Sequence, residues 1–146
     1  DTVLDLGAGI QQAVEGLICK SILAVDIFAP YLDRLKDTTG VLWMVITTET
    51  LRNSFINNSY DVVLLLDVLE HLLETHVQPV LRETTRIARK KVIIFTPLDF
   101  HTQETNSWGM GENPYQQHKC LVSKVMLKEM GFKLEKCEGL FGVWSK

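Results

Sequence analysis

Tyr60-Asp61-Val62-Val63-Leu64-Leu65-Leu66-Asp67-Val68-Leu69-Glu70-His71 is the stretch on which the fold turns. A short continuous apolar run, without the alternation of a half-exposed strand, fits a strand covered on both faces, as in a parallel sheet. The run stops at Asp67, and the turn that follows has helical spacing, so Asp67 and His71 share one side of it. In an open α/β sheet ligands bind outside the carboxyl ends of the strands, at the point where strand order reverses. A carboxylate and an imidazole at such a strand end are therefore candidates for chemistry.

Similar apolar runs lie on either side. Upstream, Thr2–Leu6, Ser21–Asp26 and Val41–Ile46 read as strands; downstream, Lys91–Thr96 does, stopped by Pro97, which cannot donate to a ladder. Helical spacing fills the gaps. Ile10–Leu17 sets Ile10, Val14, Leu17 and Ile18 on one side; Pro30 opens a turn that buries Tyr31, Leu32 and Leu35. The spacing predicts a longer helix over His76–Arg89, with Arg89, Lys90 and Lys91 at its C-terminus, where cations suit the helix dipole. Ser123 caps a helix to Met130, Gly131 ends it, and Phe132–Cys137 with Leu140–Ser145 form a hairpin around Glu138-Gly139. Phe141, Val143 and Trp144 read as core of the last strands. The expected fold is α/β: a doubly wound, Rossmann-like sheet of seven strands, mostly parallel, closed by an antiparallel hairpin, with helices on both faces.

At 146 residues the chain suits one domain, residues 1–146, with a variable loop over 97–119. The segment Leu98–Lys119 is polar and without a period, and a loop of that length in a compact domain is usually functional. The net charge of −3 argues against a nucleic-acid partner. No stretch reaches the roughly 20 apolar residues of a membrane helix, so no membrane span is expected. Three scattered cysteines, Cys19, Cys120 and Cys137, form no CxxC pair, which disfavours a disulfide framework or zinc knuckle and fits a reducing cytoplasm. The chain opens on Asp1-Thr2 directly before a central strand, which reads as a fragment lacking an N-terminal segment.

Two further elements face the same crevice. In Asp5-Leu6-Gly7-Ala8-Gly9-Ile10 the glycines permit a tight turn and leave bare amides for a ligand. A plain tight turn would use the same residues. The dinucleotide fingerprint needs a third glycine where Gln12 stands, which weakens a nicotinamide-dependent oxidoreductase. Asp26, at the end of the second strand, is placed to accept both hydroxyls of a ribose; the alternative is a surface aspartate opening the loop before Pro30.

Together these pieces strongly resemble the class I S-adenosylmethionine-dependent methyltransferases, in particular the small-molecule methyltransferase-domain families. Val3-Leu4-Asp5-Leu6-Gly7-Ala8-Gly9 resembles their first motif, Val25-Asp26 their ribose-binding acid, and Tyr60 to His71 their strand-four motif. The resemblance covers nearly the whole chain. It implies S-adenosylmethionine as cofactor, with Asp5, Gly7, Ala8 and Gly9 toward the methionine part and Asp26 with Ile27 at the ribose. Thr47 and Thr48 would follow strand three, and Leu66, Asp67 and Val68 would line the methionyl end. Gln11 stands where the family usually has another glycine, and Thr47-Thr48 where it usually has an acid, with Glu49 nearby.

The resemblance implies transfer of a methyl group to a small-molecule acceptor, such as a sugar or lipid-linked intermediate. A methyltransferase-like domain that binds without catalysis is the alternative. The Asn/Asp-Pro-Pro-Tyr box of enzymes that methylate exocyclic amines is absent. His71 is the candidate general base by position, against the plainer role of packing the turn. Glu112 to His118 resembles a segment that precedes the last helix in several of these enzymes, so His101, Tyr115 and His118 are candidate acceptor contacts, against solvated loop residues. Asp99, His101, Glu104, Glu112 and His118 show no recognised ligand spacing, and no metal is expected.

Overall fold

A computed structural model describes residues 1–10, 14–34, 41–106 and 108–146. Strands β1 (Thr2–Leu6), β2 (Ser21–Asp26), β3 (Val41–Val45), β4 (Tyr60–Leu66), β5 (Ala88–Pro97), β6 (Lys133–Glu138) and β7 (Phe141–Ser145) pair into one seven-stranded sheet. The spatial order is β3-β2-β1-β4-β5-β7-β6. The first five strands are parallel, while β7 runs antiparallel to both β5 and β6. Strand order grows outward from β1 to β3 and then reverses to β4. The carboxyl ends of β1 and β4 therefore flank the reversal, as the apolar runs imply.

The helices are α1 (Ala29–Asp33), α2 (Leu51–Ser54), α3 (Glu74–Ile87) and α4 (Lys124–Glu129), with short 3-10 turns at Leu69–His71 and Pro114–Gln116. Alternate strand residues face opposite sides. On one face Leu4, Leu23, Val63, Leu65 and Ile94 meet α3 and α4 in the main core. Val77, Val80, Leu81, Thr84 and Ile87 are the buried positions of α3, a spacing that keeps one stripe against the sheet. On the other face Val3, Ile22 and Leu64 form a smaller cluster with Val14 and Cys19, and Ala24 packs on Leu32 of α1. Among the described residues no helix is long and apolar enough to cross a membrane.

The C-terminal third follows its sequence signals. The Ser123 hydroxyl accepts from the Met126 amide at 3.2 Å, capping α4, and Gly131 at φ +89° ends it. Trp144 is buried in β7; Phe141 and Val143 are half-buried, and the Phe141 ring stacks on Phe95 at 4.6 Å.

One expectation is met only in part and one is corrected. The helix expected over Ile10–Leu17 falls largely on residues 11–13, which, with Gln11 and Gln12 among them, lie outside the described residues, as does Leu35. Of its stripe, Val14 packs on the smaller cluster, while Leu17 and Ile18, after Gly16 at φ +79°, face solvent. The longer helix ends at Ile87 rather than Arg89, and Ala88 already belongs to β5. Arg89 and Lys90 are thus strand residues and not a helix end. Their partner is Asp61 at the start of β4, 3.5 and 3.3 Å away, and Lys90 also meets Asp1 at 2.6 Å. Opposite charge across adjacent strands outweighs the helix dipole here.

Candidate active site

The turn after β1 leans on the end of β2. The amides of Gly7 and Ala8 both donate to the Val25 carbonyl, at 2.7 and 3.0 Å. Gly7 has φ +74° and Gly9 φ +53°, a region costly to residues with a Cβ. Space adds a second constraint. A Cβ on Gly7 would come within 2.5 Å of a Val68 methyl, and one on Gly9 within 2.4 Å of the Trp108 ring. The loop is therefore a cradle of bare backbone.

Asp26 closes one side of that cradle. Its Oδ2 accepts from the Gly9 amide at 2.9 Å and its Oδ1 from the Phe28 amide at 2.8 Å. Burial pushes its carboxyl above the usual range, and the two amides pull the other way. A carboxylate has about four acceptor positions; with the Ile27 amide also bonded to it, roughly one remains for a ligand.

On the far side, β4 delivers Asp67. This residue has φ +61°, a left-handed conformation, and its amide donates to the Phe95 carbonyl at 2.9 Å. The turn Leu69–His71 follows, with Glu70 almost wholly buried at 1% exposure. Oε2 of Glu70 accepts from the Thr96 hydroxyl at 3.1 Å. Burial, and then a hydrogen bond and charge from the neighbouring Asp67, raises the Glu70 carboxyl well above the usual range. Burial, reinforced by His118, lowers the His71 imidazole.

The segment 98–119 folds over the crevice. Tyr31 donates to the Gln116 side chain, and the Tyr31 and Trp108 rings lie 4.9 Å apart. The Asn113 side chain accepts from the Tyr115 amide at 2.9 Å, holding the turn Pro114–Gln116. Between these walls is a cavity of about 300 Å³, within the size range of small-molecule sites.

Gly7, Gly9, Asp26 and Ile27 line the cavity from β1 and β2; Thr47 and Thr48 line it from the end of β3. Asp67, Val68, His71 and Tyr115 complete the expected residues that reach it. Others do not reach the wall. Asp5 is buried within β1, Ala8 packs toward Ala24 and Leu32, and Leu66 packs against the smaller core cluster. His118 and His101 stand behind His71, with ring centroids 4.8 Å from His71 to His118 and 4.6 Å from His118 to His101. Sequence reasoning did not assign Trp108, Tyr31, Gln116 or Lys119 to the cavity, though all four line it. An aromatic residue inside a polar loop was the available signal for Trp108, and a tyrosine one turn after the Asp26 loop was the signal for Tyr31.

Comparison with known proteins agrees with this fold. The sequence profile of the family described as "Methyltransferase domain" matches residues 4–96, from β1 through β5. No curated protein matches the chain. Among solved structures, the PH0226 protein from Pyrococcus horikoshii OT3 superposes with a TM-score of 0.71 at 15% identity, covering 99% of this chain and 80% of that one. DhpI in complex with SAH gives a TM-score of 0.74 at 12% identity, covering 99% of this chain and 74% of that one. DhpI in complex with SAM and HEP gives 0.75 at 12% identity, covering 99% and 77%. At those identities the likeness is one of fold. The sequence profile, matched over more than half of the chain, shows the family: the chain belongs to the methyltransferase-domain family.

Proposed function

We propose that the chain binds S-adenosylmethionine across the ends of β1, β2 and β4 and methylates a small-molecule acceptor held under the 98–119 segment. The observation that carries this reading is the left-handed turn of Gly7 and Gly9, without side chains of their own, beside the buried carboxylate of Asp26. That pairing suits a ligand with a vicinal diol next to a chain that must approach backbone closely. When bound, the cofactor supplies a sulfonium methyl that is already electrophilic, so the protein's task is positioning and exclusion of water.

The roles follow from position. Asp26 grips the ribose hydroxyls with its remaining acceptor position, and Ile27, Thr47 and Thr48 bound the adjoining end of the cavity. Asp67 and Val68 lie toward the methionyl end. Trp108 and Tyr31 keep water from the cradle. His71, facing the cavity from the turn after β4, is the group placed to take the acceptor's proton, and Tyr115 contacts the acceptor. His118 and His101 support His71 from behind. The small cavity and the net charge of −3 favour a small acceptor over a nucleic acid.

Calorimetric titration with S-adenosylmethionine, its demethylated product and NAD tests the reading. Micromolar binding of the first two without NAD is expected. Failure of both to bind overturns it, and binding without turnover on any acceptor leaves a non-catalytic binding domain.

A further inference from the structure

We propose that Glu70, His71 and His118 form a binding site for one divalent transition-metal ion at the acceptor end of the crevice. A carboxylate oxygen of Glu70 and one ring nitrogen from each histidine lie within 4.8 Å of one another. Tetrahedral ligands with bonds of about 2 Å stand roughly 3.3 Å apart, so the three groups would draw in by about an ångström around a single cation. Two observations beyond proximity point to a ligand there.

The first is an orphaned atom. Nε2 of His118 is buried and lacks a hydrogen-bond partner. Buried polar atoms are almost always satisfied, and an exception asks for an unseen ion or water. Glu70 is 1% exposed, and its hydrogen bond to Asp67 would give way to the ion.

The second is the support behind the ligands. Nδ1 of His118 is 2.8 Å from the His101 carbonyl oxygen, so the N–H sits on Nδ1 and the orphaned Nε2 carries the lone pair. Nδ1 of His71 is 3.3 Å from the Gln117 carbonyl oxygen, and Oε2 of Glu70 is held by Thr96 at 3.1 Å. Metal-ligating histidines are held in this way through the ring nitrogen that does not ligate. The amides of Lys119 and Cys120 both donate to the Glu70 carbonyl, at 2.7 and 3.2 Å, and so pin His118 beside the turn that carries the other two ligands.

One carboxylate and two imidazoles are a nitrogen–oxygen set suited to Zn²⁺, Mn²⁺ or Fe²⁺ rather than to Mg²⁺, which prefers oxygen throughout. Asp67 shares a hydrogen bond with Glu70, and a bound cation would displace the proton between the two carboxyl groups. Three protein ligands leave a position open, and His71 lines the cavity, so an acceptor oxygen would complete the shell. This site deepens the methyltransferase reading and replaces one part of it. A hydroxyl bound to the cation would give up its proton more readily, to water or to the Asp67 carboxylate that lines the cavity, and a coordinated His71 would be a ligand and not the proton acceptor. The assignment departs from the expectation of no metal drawn from the sequence.

The test measures metal and cofactor separately on the full chain. Zn²⁺ or Mn²⁺ is supplied alone, excess is removed by dialysis, and bound metal is counted by mass spectrometry. Co²⁺ serves as the optical probe of nitrogen–oxygen ligation. One ion per chain is expected, with affinity at least tenfold weaker in Glu70→Gln and in His118→Gln. His118→Gln, on the loop, keeps a folded comparison if the buried Glu70 variant does not fold. S-adenosylmethionine affinity of the metal-free variants should stay within a few-fold of wild type. No stoichiometric ion in the wild type, or unchanged affinity in His118→Gln, overturns the site while leaving the cofactor reading intact. Metal retained without cofactor binding overturns the cofactor reading instead.

Discussion

The Gly9 amide donates to Oδ2 of Asp26 across 2.9 Å, so the cradle after β1 and the acid at the end of β2 act as one unit. Any change to one is felt by the other. Asp26→Ala removes the proposed ribose grip and also releases two amides. Charge-assisted hydrogen bonds contribute about 1.5–3 kcal/mol, so S-adenosylmethionine affinity should fall roughly ten- to hundred-fold. Asp26→Asn should show a comparable loss, because an amide NH₂ opposes one of the two N–H donors. Calorimetry on both variants checks this; unchanged affinity would show that the diol sits elsewhere.

Gly9→Ala carries two separate penalties. A left-handed φ costs an L-residue about 1–2 kcal/mol, and the new methyl would stand where the Trp108 ring lies. At about 2–4 °C per kcal/mol for a chain of this size, thermal unfolding should shift down by several degrees. Cofactor affinity should drop as well, because the ring that closes the cradle is displaced. A melt and a titration on the same sample separate the two effects.

Tyr31→Phe tests the cover alone. The ring contacts with Phe28 and Trp108 persist in phenylalanine, and only the hydrogen bond to Gln116 is lost. A net contribution of about 0.5–1.5 kcal/mol predicts roughly a two- to tenfold faster exchange of amides in the 98–119 segment. Hydrogen-exchange mass spectrometry reads that directly. Exchange at the wild-type rate would mean that other anchors, such as the Lys119 amide on Glu70, hold the segment by themselves.

Asp61 supplies the pH dependence. Its carboxylate accepts from the Thr2 amide at 2.9 Å, and this bond, aided by Lys90 and Arg89, lowers its pKa from 3.8 to about 2. A carboxyl depressed in the folded state stabilises the protein above its unfolded pKa and loses that contribution as pH falls through the folded value. The stabilisation should be complete above about pH 4 and vanish toward pH 2. Asp61→Asn should be less stable than wild type at neutral pH, and the gap should close across that interval. Denaturant midpoints at pH 7, 4 and 2 measure it.

The parallel half of the fold was legible because each strand is an uninterrupted apolar run, and such runs have few alternatives. Gly7, Gly9, Asp26 and Asp67 followed from them, since strand ends converge once the order of strands is fixed. The end of the stripe expected over Ile10–Leu17 shows the limit of this reasoning. Leu17 and Ile18 continue its periodicity, yet the chain turns at Gly16, φ +79°, and both face solvent. The same holds for the 98–119 segment. Trp108 reaches Gly9, and His118 reaches His71, through ring contacts specific to this loop, which leave no period in the sequence.

Asp67 carries a consequence of its own. An aspartate at φ +61° tolerates that conformation better than most side chains, but glycine would adopt it with no steric cost. Asp67→Gly should therefore relax the backbone at the end of β4 while removing a carboxylate from the crevice. The position is a place where endurance and chemistry pull in opposite directions. A selection for heat resistance alone would be expected to drift toward glycine there, and a selection for turnover would bring the acid back.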